Sequence, residues 1–479
     1  MSRNRARVAP EQAGPAAVTA RVLCLVVVLL VLGCDAQPTT DEQWRHQPGD
    51  ELLGGKATVR DITVNAFGHP APGLERDQRL LFFVGNSFFK KNWVQAPAST
   101  AARDGLGPLF NARSCGGCHF KDGRGRPPEE GEVGTGLLVR LGHPSGDGTW
   151  QDDPIYGDQL QDQALPGLRA EGRLGIQWSE EEVTFADGST VRLRAPSFAV
   201  EQPAFGDPAP GLRLSPRLAP QLIGLGLLEA VPEQVVLESA DPDDADGDGI
   251  SGRPNRVWDV EAGEHVLGRF GWKANQPTVL QQVAGAFAGD IGITSDLFPD
   301  VICARGDDAC AASPNGGEPE IDRDDLDKTV LYSATLAVPM QRDHEDPQVV
   351  RGRRLFFEVG CESCHRARLE TGEHPTLPAL SYQTIRPYTD LLLHDMGPDL
   401  ADGRPDGEAD GSEWRTPPLW GLGLLGTVSG PPALMHDGRA RTVMEAILWH
   451  GGEGEASRDR VRELPLDDRL ALVRFLESL

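Results

Sequence analysis

Cysteine and positive charge are what this chain has little of. Eight Cys are spread over 479 residues, and 46 Lys and Arg face 72 Asp and Glu, for a net charge of −26. The shortage of basic side chains argues against nucleic acid as a partner. It suits encounter with basic proteins, such as a small cationic electron carrier, or a surface kept acidic for solubility. Long apolar runs are scarce as well. The one near the N-terminus, Val22 to Leu32, is too short to span a bilayer and follows Arg3, Arg5 and Arg7, the layout of a secretory signal.

That run ends in Val31-Leu32-Gly33-Cys34, which resembles a bacterial lipobox. Residues 1–33 then read as a lipoprotein signal peptide, and Cys34 as the lipidated N-terminus holding the protein on the periplasmic side of a membrane. An ordinary signal with an incidental Cys34 is the alternative. Residues 1–33 carry four Arg and one Glu, net +3, so the remainder stands near −29. Residues 34–61 are polar and aperiodic, as expected of a tether.

Four of the remaining cysteines are spent on two copies of one pattern, Cys115-Gly116-Gly117-Cys118-His119 and Cys361-Glu362-Ser363-Cys364-His365. C-x-x-C-H is the attachment signature of c-type haem. Two thiols on one helical turn can bond the two vinyl groups of a porphyrin, and the adjacent imidazole becomes an axial iron ligand. A zinc site would want a second Cys/His pair nearby, and a redox dithiol has no need of the histidine. Two covalently bound haem c groups are therefore expected, on His119 and His365. Cys303 and Cys310 lie close together in an acidic loop and are expected to form a local disulfide in an oxidising compartment.

Arg79 to Phe89 and Arg351 to Val359 both read as helices leading into a C-x-x-C-H block, each with a Gly three or four residues before a Phe. Between the blocks, Gly136 to Leu141, Val183 to Phe185 and Thr190 to Arg194 have strand character, with Ala186-Asp187-Gly188-Ser189 as a hairpin turn. At the C-terminus Leu466, Leu470, Val473 and Leu476, widened by Leu472, Phe475 and Leu479, form the stripe of an amphipathic helix. The expected fold is mainly α. It comprises two class I cytochrome c-like domains, 62–335 and 336–479, with a β-containing insertion between the haem motifs.

The segments GPLFNARSCGGCHFKDGRGRP, IGLGLLEAVPE, DADGDGISGRPN, GRFGWKA, DLLLHDMG, EWRTPPLWGLG and MHDGRARTVMEAILWHGGE together resemble the di-haem oxidoreductase family, whose members carry the labels peroxidase and thiol oxidoreductase. The chain is more distantly similar to the bacterial di-haem cytochrome c peroxidases. In those relatives a Met lies fourteen residues beyond the His of the H-D-G-R block. Here that position is His450, so the resemblance implies that His365 and His450 hold the second iron between them, with Met435 and Met444 as alternatives. His394 and Met396 are candidates for the first iron, although their block resembles a structural segment at a haem edge. Carried over in the same way, Trp272 is the inter-haem aromatic, Gln282 lies in the distal pocket and Asp290 is the distal acid, with Asp where the peroxidases have Glu. A carboxylate there moves a proton between peroxide oxygens. Arg415 and Arg439 are plausible partners of haem propionates. Asp244, Asp246 and Asp248 alternate as in a calcium loop, but Asn255 stands where an EF-hand has Glu, leaving a Ca2+ site of another shape or a simple acidic turn. The implied function is an exported peroxidase-like oxidoreductase. Electrons would pass from the C-terminal haem to the N-terminal one, where an oxidant such as hydrogen peroxide is reduced. The competing readings are a di-haem electron carrier and oxidation of a thiol or protein side chain.

Overall fold

Each C-x-x-C-H block is delivered by a helix that a second helix crosses at a glycine. Helix α1 (Arg76–Lys90) buries Phe82, Gly85, Phe88 and Phe89. A Cβ on Gly85 would stand 2.0 Å from the Lys328 carbonyl oxygen, so only glycine permits the approach of the partner helix described below. The computed structural model describes residues 44–100, 103–129, 132–146 and 149–479. The signal peptide, Cys34 and the first part of the expected tether lie outside them.

After the first block the chain builds strands. Strand β1 (Leu137–Pro144) pairs antiparallel with β4 (Arg213–Leu218), and between them β2 (Arg173–Thr184) and β3 (Thr190–Glu201) make a long hairpin. Its turn is the expected one. Gly188 takes a φ of +81°, and Asp187 Oδ1 accepts the Ser189 amide at 3.0 Å. Helix α2 (Val279–Ala286) starts on a Thr278 cap and runs into a π-helical turn, Phe287–Ile291. Helix α3 (Arg323–Ala334) is the partner of α1.

Helix α4 (Pro347–Glu358) is capped by Asp346, starts on Pro347 and repeats the glycine device. A Cβ on Gly352 would lie 1.9 Å from the Ala471 carbonyl of the closing helix. Helices α5 (Val443–Leu448), α6 (Glu455–Glu463) and α7 (Leu466–Leu476) complete the chain. Helix α7 buries Leu472, Phe475 and Leu476 against α4, whereas Leu466 and Leu470 face outward. The apolar stripe is thus narrower than its spacing implies.

Two expectations are corrected. The fold is not mainly α: 27% of residues are helical and 19% are in strands, the latter in many small sheets. The insertion accounts for much of this, since β2 and β3 alone are twelve residues each. The tether does not reach residue 61, because residues 44–61 belong to the body. Leu53 and Ala57 are buried, Asp50 accepts from Arg353 at 3.0 Å and Arg386 at 2.6 Å, and Thr58–Val59 pairs in parallel with Val338–Pro339. The polar look of this stretch comes in part from a buried carboxylate with two guanidinium partners. The Cys303–Cys310 disulfide is formed, with a Cα separation of 5.9 Å.

Candidate functional site

Two cavities open above the two C-x-x-C-H turns. In the first, Cys115–Cys118 form one helical turn, and the His119 Nδ1–H donates to the Pro220 carbonyl at 2.7 Å. In the second, the His365 Nδ1–H donates to the Tyr388 carbonyl at 2.9 Å. A backbone carbonyl fixes the tautomer in each case and leaves Nε2 as a free ligand atom. Burial lowers the pKa of both rings to about 4, and for His365 the neighbouring His450 adds to the effect. Both are therefore neutral imidazoles, the form that binds metal. Burial also pushes the Cys115 and Cys361 thiols up to about 12. Thiols held neutral this firmly are unsuited to dithiol redox chemistry, which needs the thiolate.

The cavities differ in what lines them besides the histidine of the C-x-x-C-H turn. In the second, His450 anchors Nδ1 on the Ala446 carbonyl at 2.8 Å, and its ring centroid lies 6.4 Å from that of His365. Two metal–nitrogen bonds of about 2 Å plus two ring radii of about 1 Å span close to this distance, so one iron fits between them. Met435 also lines this cavity, whereas Met444 does not. His394 and Met396 line the second cavity rather than the first. His394 cannot serve as a ligand there, because Asp390 at 2.9 Å and Glu453 at 2.6 Å occupy both ring nitrogens. Those carboxylates outweigh its burial and hold it charged, well above the ordinary histidine value.

In the first cavity, among the described residues lining it, His119 is the only imidazole and no methionine is present. What gathers there is acid and amide. Asp290 sits in the π-helical turn, a distortion frequent at functional sites. Its backbone carbonyl accepts the Asn111 and Ala112 amides just ahead of Cys115, and its Oδ1 accepts from Gln159 at 2.9 Å. Burial raises its pKa against the pull of Gln159 and Arg140. Gln282 lines the same cavity. Asp162, which sequence reasoning missed, accepts from the Asn111 amide at 3.0 Å and is raised by burial to about 6. No motif marks it, because the fold alone brings its loop to the cavity.

Trp272 lines both cavities, is almost fully buried and donates its Nε1–H to the Leu218 carbonyl at 2.7 Å. Arg124 and Arg415 share that wall. Arg124 donates to the Ala433 carbonyl at 3.1 Å, leaves Nε without a partner and covers the Trp272 ring at 5.2 Å. Arg415 donates to the Gly271 and Thr416 carbonyls. Among the described residues neither forms a salt bridge, and burial lowers both to about 10, for Arg415 against the pull of the Asp390 carboxylate. Buried guanidinium groups call for an anion, and the propionates of a porphyrin supply one to each cavity. The donor set fits the group that the C-x-x-C-H turns imply. Arg124 was legible in principle, standing five residues after His119 in a Gly-Arg-Gly-Arg run.

Two expected site residues fall elsewhere. Arg439 pairs with Asp437 at 2.8 Å, donates to the Asp399 carbonyl at 2.6 Å and lines neither haem-type cavity. The carboxylate two residues earlier has taken its guanidinium. In the acidic loop, carboxylates of Asp241, Asp244 and Asp246 come within 4.8 Å of one another, whereas Asp248 turns back to accept the Ile250 amide at 2.8 Å. Asn255 is remote from a coordinating role, donating to the Lys273 and Asp406 carbonyls.

Two C-x-x-C-H turns, each under its own cavity with an arginine-lined wall between, define a di-haem protein. The family model described as "Di-haem oxidoreductase, putative peroxidase" matches residues 50–141 and 158–479, and the chain belongs to that family. No curated protein and no solved structure matches the chain.

Proposed function

We propose that the chain is an exported c-type enzyme that reduces a peroxide at the first haem with electrons received at the second. The observation that carries this reading is the asymmetry of the two cavities. One sets a second imidazole near the proximal histidine, and the other has carboxylates in its wall and, among its described lining residues, no second imidazole or methionine. Cys115 and Cys118 would hold one haem and Cys361 and Cys364 the other, with His119, His365 and His450 as iron ligands and Arg124 and Arg415 on the propionates. When bound, the haems would supply iron that changes oxidation state, the chemistry that peroxide reduction requires.

Reduction of peroxide to water takes two electrons and two protons. Asp290 would take a proton from one peroxide oxygen and return it to the other, and Gln282 would orient the oxidant through its amide; both line the first cavity. Trp272, in contact with both cavities, is the bridge for electrons. The acidic surface suits a small basic electron carrier as donor, and Cys34 would anchor the protein by lipid. Electron paramagnetic resonance on the fully loaded protein tests the assignment. It should show one high-spin and one low-spin ferric centre per chain, and the reduced protein should consume peroxide. Two low-spin centres and no turnover would make the protein an electron carrier instead.

A further inference from the structure

Away from both cavities, three metal-ligating side chains converge from two segments far apart in sequence. His46 and Glu51 stand at the start of the body, and His344 lies in the loop that enters α4. One ligand atom of each comes within 4.8 Å of the other two. The His46 and His344 rings stack with centroids 4.7 Å apart and planes 19° from parallel. His46 Nε2 is 3.8 Å from Glu51 Oε2, and it is shielded from solvent without a hydrogen-bond partner. A shielded ring nitrogen left without a partner is costly, and a metal ion on its lone pair would satisfy it.

We propose that His46, Glu51 and His344 bind a divalent transition-metal ion of the zinc type, with a water molecule completing the coordination. Two imidazoles on adjacent tetrahedral positions, each with a metal–nitrogen bond of about 2 Å, place their ring centroids about 5 Å apart. The observed 4.7 Å is close to this spacing, and the rings must turn out of their 19° stack for both in-plane lone pairs to meet at one ion. Imidazole donors select zinc, copper or nickel over calcium, which takes oxygen ligands. Glu51 Oε2 accepts the Gly49 amide at 3.0 Å, which orients the carboxylate and leaves Oε1 available.

The backbone on both sides of the site is already fixed. The Gln341 amide donates to the Glu51 carbonyl at 2.9 Å, and Asp50 is locked between Arg353 and Arg386. Binding therefore needs side-chain movement alone, unstacking the two rings and closing ligand atoms that now lie within 4.8 Å of one another to the ~3.3 Å spacing of a tetrahedral ion. The ion would clip the first body segment to the loop that starts α4. Arg386, held by Asp50, lies two residues before Tyr388, whose carbonyl receives His365. The clip thus secures the ground behind the second cavity.

The test uses the full chain carrying its haems, stripped of loosely held metal by a chelator and titrated calorimetrically with Zn2+. One equivalent should bind, and zinc K-edge absorption, which is blind to the haem iron, should show two imidazole ligands. His46→Ala and His344→Ala should each weaken binding by about tenfold or more. Asp241→Asn/Asp244→Asn/Asp246→Asn should leave that equivalent unchanged. His344 is half-exposed in a loop, so its variant stays informative even if His46→Ala disturbs the N-terminal segment. A purely oxygen shell, or unchanged affinity in His344→Ala, would overturn the site.

Discussion

Asp290→Asn separates the chemistry assigned to the first cavity from its architecture. The asparagine keeps a carbonyl oxygen for Gln159, now at 2.9 Å from Oδ1, and leaves the backbone carbonyl on Asn111 and Ala112 untouched. The fold and the cavity should therefore survive. What disappears is the proton acceptor, and a positioned general base contributes about 10²- to 10⁴-fold, equivalent to about 3–5 kcal/mol of barrier. Stopped-flow mixing of the reduced protein with peroxide should show a slowing in that range, with spectra of both haems unchanged. The pH profile carries a second signature. Burial raises the Asp290 pKa, so only above that value is the carboxylate ionised and able to take a proton. The rate should climb with pH on the acid side in the wild type and be flat in the variant. A loss of less than about threefold, too small for a general base, together with a retained acid limb, would refute the assignment. If Asp162→Asn then produced the loss, the base would be the neighbouring carboxyl raised to about 6.

His450→Ala should convert the low-spin ferric centre to high-spin, read by electron paramagnetic resonance; an unchanged low-spin signal would transfer the ligand role to Met435. Gly352→Ala drives a methyl into the Ala471 carbonyl at 1.9 Å. It should cost about 3 kcal/mol, at the upper end for overpacking, by denaturant titration. Gly426→Ala, with nothing within 4 Å, should not destabilise. Glu171 is fully buried and raised by burial to about 8 from 4.5, so the folded state holds a proton that the unfolded chain releases. Stability from this group is full below pH 4.5, falls as pH rises towards 8, and is level above it. Glu171→Gln should remove that fall, gaining up to about 4 kcal/mol at pH 9 relative to wild type. Equal stability differences at pH 5 and pH 9 would show that the carboxyl titrates normally.

What was legible in the sequence is what neighbouring residues decide among themselves. The C-x-x-C-H turns are local, and so are the Asp187-Gly188 hairpin and the helices α1 and α4 whose glycines mark a crossing. The mainly α expectation failed because the helical segments carry the recognisable motifs, whereas β2 and β3 are twelve-residue strands with almost no fully buried side chain to mark their extent. Cavity walls were the hardest to foresee. Asn111 meets Asp162 across 51 positions and Arg124 meets Ala433 across 309, distances over which no spacing rule speaks. Arg439 shows the reverse case. Its motif pointed to a propionate, and a carboxylate two residues away claimed it first.

The wall shared by the two cavities ties cofactor attachment to folding. Burial holds Arg124 and Arg415 well below the ordinary guanidinium value, at about 10, so both charges are costly to keep in this wall. Carbonyl oxygens offset part of this, but only an anion restores the rest. Each porphyrin brings two carboxylates, and the wall touches both cavities, so either haem relieves groups that the other also needs. The two attachment events are therefore coupled through these shared groups, and a chain blocked at one motif by Cys361→Ala/Cys364→Ala should lose only part of the stability that the pair of haems confers. Trp272 lies under Arg124 in the same wall, so the residue that would conduct electrons between the haems packs against a guanidinium that either haem's propionate would neutralise.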